Sequence, residues 1–196
     1  FSKANAKPFG VDQPSSEGKQ SFGRPPHGRP SCFRYGTPCM ALEPVLPLDR
    51  IDPNACLHDA TAIDALIPHR GPIRQVDRIV FAETPLMIAG VKEVRDDEFW
   101  CEGHIPGRPV MPGVLQLEAG AQLASILDTL CHGPDRFMGL VRIDEASFRG
   151  SVEPGDQLLL LGYRLKPAHK RRFVCHCQGL VEGNIVFDAQ ITGFTM

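Results

Sequence analysis

The sequence predicts an α+β domain in which one long apolar helix packs on an antiparallel sheet of about six strands. Three observations lead there. Between Val114 and Leu130 apolar residues occupy most of a helix's circumference, so that helix has to be surrounded by protein. Six runs rich in branched and aromatic residues flank it, and the last two are joined through Glu182-Gly183-Asn184, a turn suited to a hairpin. At 196 residues the chain has room for one domain with a substantial core, but not for two large ones.

In chain order, residues 1–58 differ from the rest. The stretch "KPFGVDQPSSEGKQSFGRPPHGRPSCFRYGTP" is rich in Pro, Gly and Ser, more basic than acidic, and lacks an apolar period. Such a segment buries too little surface to offset the entropy of ordering it, so it is expected to be disordered or an extension outside a domain at 59–196. The composition begins to change at Met40, which is the expected start of the working protein; a plastid transit peptide is the alternative reading.

From Thr61 the signals sharpen. "TAIDALIPHRGP" reads as one short helix, with Thr61 and Asp64 at capping-box spacing and Pro68 beyond its end. "IRQVDRIVFAE" and "LMIAGVKEV", separated by Thr84-Pro85, read as two strands. The long helix follows, with Pro112 in its first turn and Gly133 at its stop. Its polar residues Glu118, Gln122, Ser125 and Thr129 fall on one narrow stripe. Four more strands are expected in "RFMGLVRID", "DQLLLLGYRLK", "RRFVCHCQGLVE" and "NIVFDAQITGF", mostly meandering, with Pro167 to Lys170 turning the second into the third.

Composition excludes several function classes. A formal charge of −2 disfavours a chain devoted to nucleic acid. The seven cysteines form no C-x-x-C pair and read as reduced, mostly buried thiols of a cytosolic protein. No apolar run approaches the roughly 18 residues that span a bilayer.

The chemistry concentrates in "EGHIPGRPVMPGVLQLEAGAQL", where His104 precedes a Pro/Gly turn and Glu118 sits on the second turn of the apolar helix. A bare carboxylate is costly there. Three blocks, "PHRGPIRQVDRI", "GHIPGRPVMPGVLQLEAGAQ" and "IDEASFRGSVEPGDQL", together resemble the hot-dog-fold β-hydroxyacyl-acyl carrier protein dehydratases of the FabZ/FabA type. The resemblance runs from about Ile63 to the C-terminus, and a glutamate at 118 places it nearer FabZ.

That resemblance implies a hot-dog fold and the dehydration of (3R)-hydroxyacyl thioesters to trans-2-enoyl thioesters, with acyl carrier protein as partner. It implies His104 as the catalytic histidine, Glu118 as the catalytic carboxyl and the Gly113 N–H as the donor to the thioester carbonyl. It further implies a site shared across a homodimer, sometimes a trimer of dimers. Neither a metal nor an organic cofactor is required. Elementary chemistry agrees: a helix N-terminus suits an enolate-like oxyanion, and histidine is the side chain in the block whose ordinary pKa lies near neutrality. Gln122, one turn after Glu118, is the expected partner of its carboxyl.

The match has departures. Where the family carries an apolar "YPFLLVDR", this chain reads Gly71-Pro72-Ile73-Arg74-Gln75-Val76-Asp77-Arg78, and Arg142 precedes the "ID" pair. These bear on tunnel shape and acyl preference. Arg70, Asp77 and Arg78 are expected to be structural, while Arg108, Arg149 and the Lys170-Arg171-Arg172 cluster are candidates for receiving an acidic carrier. Thioester hydrolysis and non-catalytic acyl binding are the alternative functions.

Overall fold

The computed structural model describes residues 42–136, 138–165 and 171–195. Strands β1 (Arg78–Glu83), β2 (Met87–Glu93), β3 (Met138–Phe148), β4 (Gln157–Arg164), β5 (Arg172–Val181) and β6 (Asn184–Thr195) build one sheet in the order β1-β2-β4-β5-β6-β3. Every neighbouring pair is antiparallel. Helix α1 (Ala60–Leu66) precedes the sheet, and helix α2 (Gly113–His132) lies against it. This is the expected hot-dog arrangement, with one correction to the meander. β3 does not pair with β4 but forms the far edge on β6, so the chain crosses the sheet before resuming its hairpins.

The hairpins follow from local chemistry. Glu182 and Gly183 have φ of 49° and 77°, the left-handed pair of a two-residue type I′ turn that matches the strands' own twist. Asp59 rather than Thr61 caps α1: the Asp59 carboxylate accepts the Ala62 N–H at 2.9 Å, two residues N-terminal to the expected box. The expected turn through Pro167 to Lys170 lies outside the described residues.

α2 is buried because the sheet curls about it. Ala119, Leu123, Ala124, Ile126 and Leu127 pack on Ile88, Leu158, Leu160, Cys175, Cys177, Phe187 and Ile191. Close approach is built into the sheet: a Cβ placed on Gly179 would lie 2.3 Å from the buried Phe187 ring. Of the expected polar stripe, Gln122 and Thr129 are buried, whereas Glu118 and Ser125 remain partly open. Asp128, on the same helix, is also buried and pairs with Arg164 and His132.

Residues 42–58, expected to lie outside the domain, cover the other face of the sheet. Leu46 and Ile51 pack with Val80, Ala89, Val91, Leu161 and Leu180. Gln178 ties this segment down, accepting the Val45 N–H at 2.8 Å, and the Leu57 N–H reaches the Ile79 carbonyl of β1 at 2.7 Å. With both faces covered, β2 reads as a continuous apolar run rather than an alternating one. Even Lys92 is held inside, where its ammonium meets the Glu98 carboxylate and the Glu93 carbonyl.

The thiols depart from expectation in part. Cys175 and Cys177 are buried, but Cys56 is exposed and Cys101 and Cys131 are partly covered. Burial pushes the Cys131 thiol above its ordinary range. Among the described residues no helix is long and apolar enough to cross a membrane.

Leu46 is 2% exposed, so Leu46→Ala should cost about 2–5 kcal/mol in chemical denaturation. An unchanged midpoint would show that the 42–58 segment is not part of the cooperative fold. Gly179→Ala should cost about 1–3 kcal/mol by overpacking against Phe187 in the same measurement.

Candidate active site

The loop before α2 is a small hydrogen-bonded clamp around His104. Trp100 is buried, and its carbonyl accepts the His104 N–H at 2.8 Å. The His104 carbonyl accepts the Val110 N–H at 2.9 Å, and the Arg108 N–H reaches the Ile105 carbonyl at 2.9 Å. Gly107 turns the loop with φ of 78°, a conformation that explains glycine at that point of the motif. Met111, buried, anchors the exit through its N–H to the Val152 carbonyl at 2.7 Å.

This clamp assigns the imidazole's tautomer. His104 Nδ1 lies 2.8 Å from the Val110 carbonyl oxygen. A carbonyl only accepts, so Nδ1 carries a proton, and in the neutral imidazole Nε2 is the nitrogen with the lone pair. His104 is exposed, which leaves Nε2 outside the single chain's core.

Gly113 is the first residue of α2, where the helix leaves backbone N–H groups without intrahelical acceptors. Phe148 of β3 lies across it: a Cβ at 113 would sit 2.9 Å from that ring. A turn and a half further along, Glu118 opens into a cavity lined by His69, Ala121, Ser125, Met138, Phe173 and Gly193, among others. His104 is not one of the lining residues.

The structure therefore brings Glu118 and Gln122 together and leaves His104 apart from them within one chain. Gln122 is fully engaged. Its Nε2 donates to Glu118 Oε1 at 2.7 Å and to the Ile73 carbonyl at 2.7 Å, while its Oε1 accepts the Gln75 N–H at 2.8 Å. The loop that departs from the family's apolar pattern thus holds the carboxyl's partner in place. Arg74 points to Asp64 and Arg142 to Asp144. Neither arginine is among the residues that line this cavity.

Arg78 pairs with Glu93 and the Pro53 carbonyl, and Asp77 meets Lys92 and the Glu93 N–H, all structural as expected. Arg70 binds the carbonyls of Asp64, Ile67 and His69. His69 is the residue that sequence reasoning missed. Its Nε2 lies 3.5 Å from Glu118 Oε1, and its one trace in the sequence is the "PHR" of the first matching block. No group of three or more His, Cys, Asp or Glu among the described residues is placed to hold a metal ion.

The family model of the FabA-like domain matches residues 67–190, a span that contains His69, His104, Gly113, Glu118 and Gln122. The chain belongs to the FabA-like family. Among its relatives, a 3-hydroxyacyl-acyl-carrier-protein dehydratase FabZ from Bartonella bacilliformis is 38% identical over 141 residues, covering 70% of this chain and 90% of that protein. A FabZ from Anaeromyxobacter sp. strain K is 45% identical over 138 residues, covering 67% and 86%. This FabA-like chain also shares its fold with solved structures of low identity. A chain of the dehydratase heterocomplex ApeI:P from Xenorhabdus doucetiae superposes with a TM-score of 0.59 at 12% identity, covering 68% of this chain and 90% of that one. Cj0977, a sigma28-regulated virulence protein from Campylobacter jejuni, gives 0.57 at 13% identity, covering 74% and 96%.

Gln122→Leu would strand the Gln75 N–H and the Ile73 carbonyl, so a loss of about 1–3 kcal/mol per group is expected. Urea denaturation checks it; wild-type stability would mean that these bonds are replaced by water.

Proposed function

We propose that this FabA-like protein dehydrates (3R)-hydroxyacyl groups on acyl carrier protein to trans-2-enoyl groups in fatty-acid biosynthesis. The FabZ relatives, each named as a dehydratase of that substrate, support the reaction. One geometric observation carries the mechanism: the Val110 carbonyl holds the proton on His104 Nδ1 and leaves Nε2 as a base.

In the reaction so read, His104 Nε2 removes the α-proton and the electron pair moves into the thioester, forming an enolate-like oxygen. The Gly113 N–H and the N-terminus of α2 meet that charge; a well-aimed donor of this kind is worth about 3–4 kcal/mol. The pair then returns to form the double bond as the C–O bond at C3 breaks. Glu118 gives its proton to the departing hydroxyl, and water leaves. The proton on His104 resets the Glu118 carboxylate through solvent, so no net proton is consumed.

We further propose that the working unit is a homodimer in which His104 of one subunit serves Glu118 of the other. Support comes from β3, a sheet edge paired on one side with β6, which exposes Leu140, Val141 and Phe148. An exposed apolar edge of this length is a template for pairing. Arg108, 76% exposed beside His104, is a candidate contact for the acidic carrier.

Enoyl absorbance with a 3-hydroxyacyl carrier protein tests the reading. His104→Ala and Glu118→Gln should each lower kcat by at least about two decades. Release of free thiol without enoyl product would instead indicate hydrolysis, and near-wild-type rates in either variant would overturn the assigned roles.

A further inference from the structure

We propose that His69 is a positioning residue for Glu118, fixing which of its two carboxyl oxygens carries the reactive proton. The inference rests on Glu118 being the proton donor to the departing hydroxyl. It starts from where the contacts to this carboxyl fall. Gln122 Nε2 donates to Oε1 at 2.7 Å, and His69 Nε2 approaches the same oxygen, Oε1, at 3.5 Å. An oxygen that accepts from N–H groups acts as the carbonyl half of a neutral carboxyl, so its proton resides on Oε2.

The imidazole's own surroundings select its tautomer. His69 Nδ1 is buried with no hydrogen-bond partner. A buried N–H without an acceptor is the rarer and costlier defect, so Nδ1 is the bare nitrogen and the proton sits on Nε2, aimed at Oε1. At 3.5 Å this is longer than a formed hydrogen bond. The contact shortens as Glu118 gives up its proton and charge builds on the carboxylate, in the way that catalytic hydrogen bonds tighten on substrate engagement.

The backbone is arranged to keep His69 there. Pro68 ends α1 ahead of it, and the Arg70 guanidinium donates to the carbonyls of Asp64 at 2.6 Å, Ile67 at 2.7 Å and His69 itself at 2.8 Å. Asp64 on α1 in turn lies near Arg74 at 3.7 Å and Arg70 at 3.9 Å. Gln122 fixes the carboxyl from the helix, and His69 does so from the loop.

A positional role predicts a specific kinetic pattern. His69→Ala should lower kcat about tenfold, the scale of one hydrogen bond to a charged group, with KM changed less than about twofold. A carboxylate that loses a donor binds its proton more tightly, so the alkaline limb of the kcat profile should move to higher pH. His69→Gln supplies an N–H of similar reach and should restore most of kcat. In the Glu118→Gln background, His69→Ala should have little further effect.

Unchanged kcat and pH profile in His69→Ala, or His69→Gln no better than His69→Ala, would overturn the proposal while leaving Glu118's role intact if Glu118→Gln is inactive. A fully active Glu118→Gln would instead remove the reading on which the proposal rests. Nitrogen-15 NMR of the intact wild-type protein tests it without any substitution: an Nε2–H tautomer at His69 is expected, and an Nδ1–H tautomer would overturn it.

Discussion

The rest of the structure depends on one constraint: α2 is largely wrapped by its own sheet, so the polar groups it buries need partners from within the fold. Gln122 shows how. Its amide spends both ends on the loop at Ile73 and Gln75 and still reaches Glu118. A buried amide with all of its bonds made has one orientation. The carboxyl one turn earlier inherits that fixity, which a glutamate on an open helix face would not have. Asp128 obeys the same rule at the other end of the helix, where Arg164 answers it and stacks on Phe173.

The histidine is positioned by the opposite means. His104 lies on an exposed loop, and rigidity comes from its main-chain bonds to Trp100 and Val110 rather than from burial. The Nδ1 contact to the Val110 carbonyl then fixes the tautomer. A half-buried carboxyl and an exposed imidazole, each held by its own hydrogen bonds, are the two halves of the proposed acid-base pair. Within one chain they belong to different surfaces, and the proposed homodimer is what would join them.

Much of this was legible in the sequence because it is local. The unbroken apolar circumference of 114–130 announces a wrapped helix, and Glu182-Gly183 announces a hairpin. The Pro/Gly block around His104 also encodes its own turn. What stayed hidden is non-local. β3 pairs with β6 rather than with the next strand in the chain, and no period in either strand reports that choice. Residues 42–58 look too rich in polar and turn residues to fold, yet Leu46 and Ile51 suffice once the outer sheet face offers them partners. Thr61 fits a capping box, but Asp59 competes for the same helix start with a better acceptor. His69 meets Glu118 only because α1 and α2 pack together, and the pairing of Arg74 with Asp64 and of Arg142 with Asp144 is not announced by the sequence.

The central claim is that base and acid come from different subunits, and mixing two inactive variants tests it most directly. His104→Ala and Glu118→Gln chains, unfolded and refolded together, would form mixed dimers in which one of the two sites holds an intact histidine and an intact glutamate. Recovery toward about a quarter of wild-type dehydration is predicted for random pairing. A mixture that refolds into mixed dimers and stays as inactive as its two components would contradict the shared site.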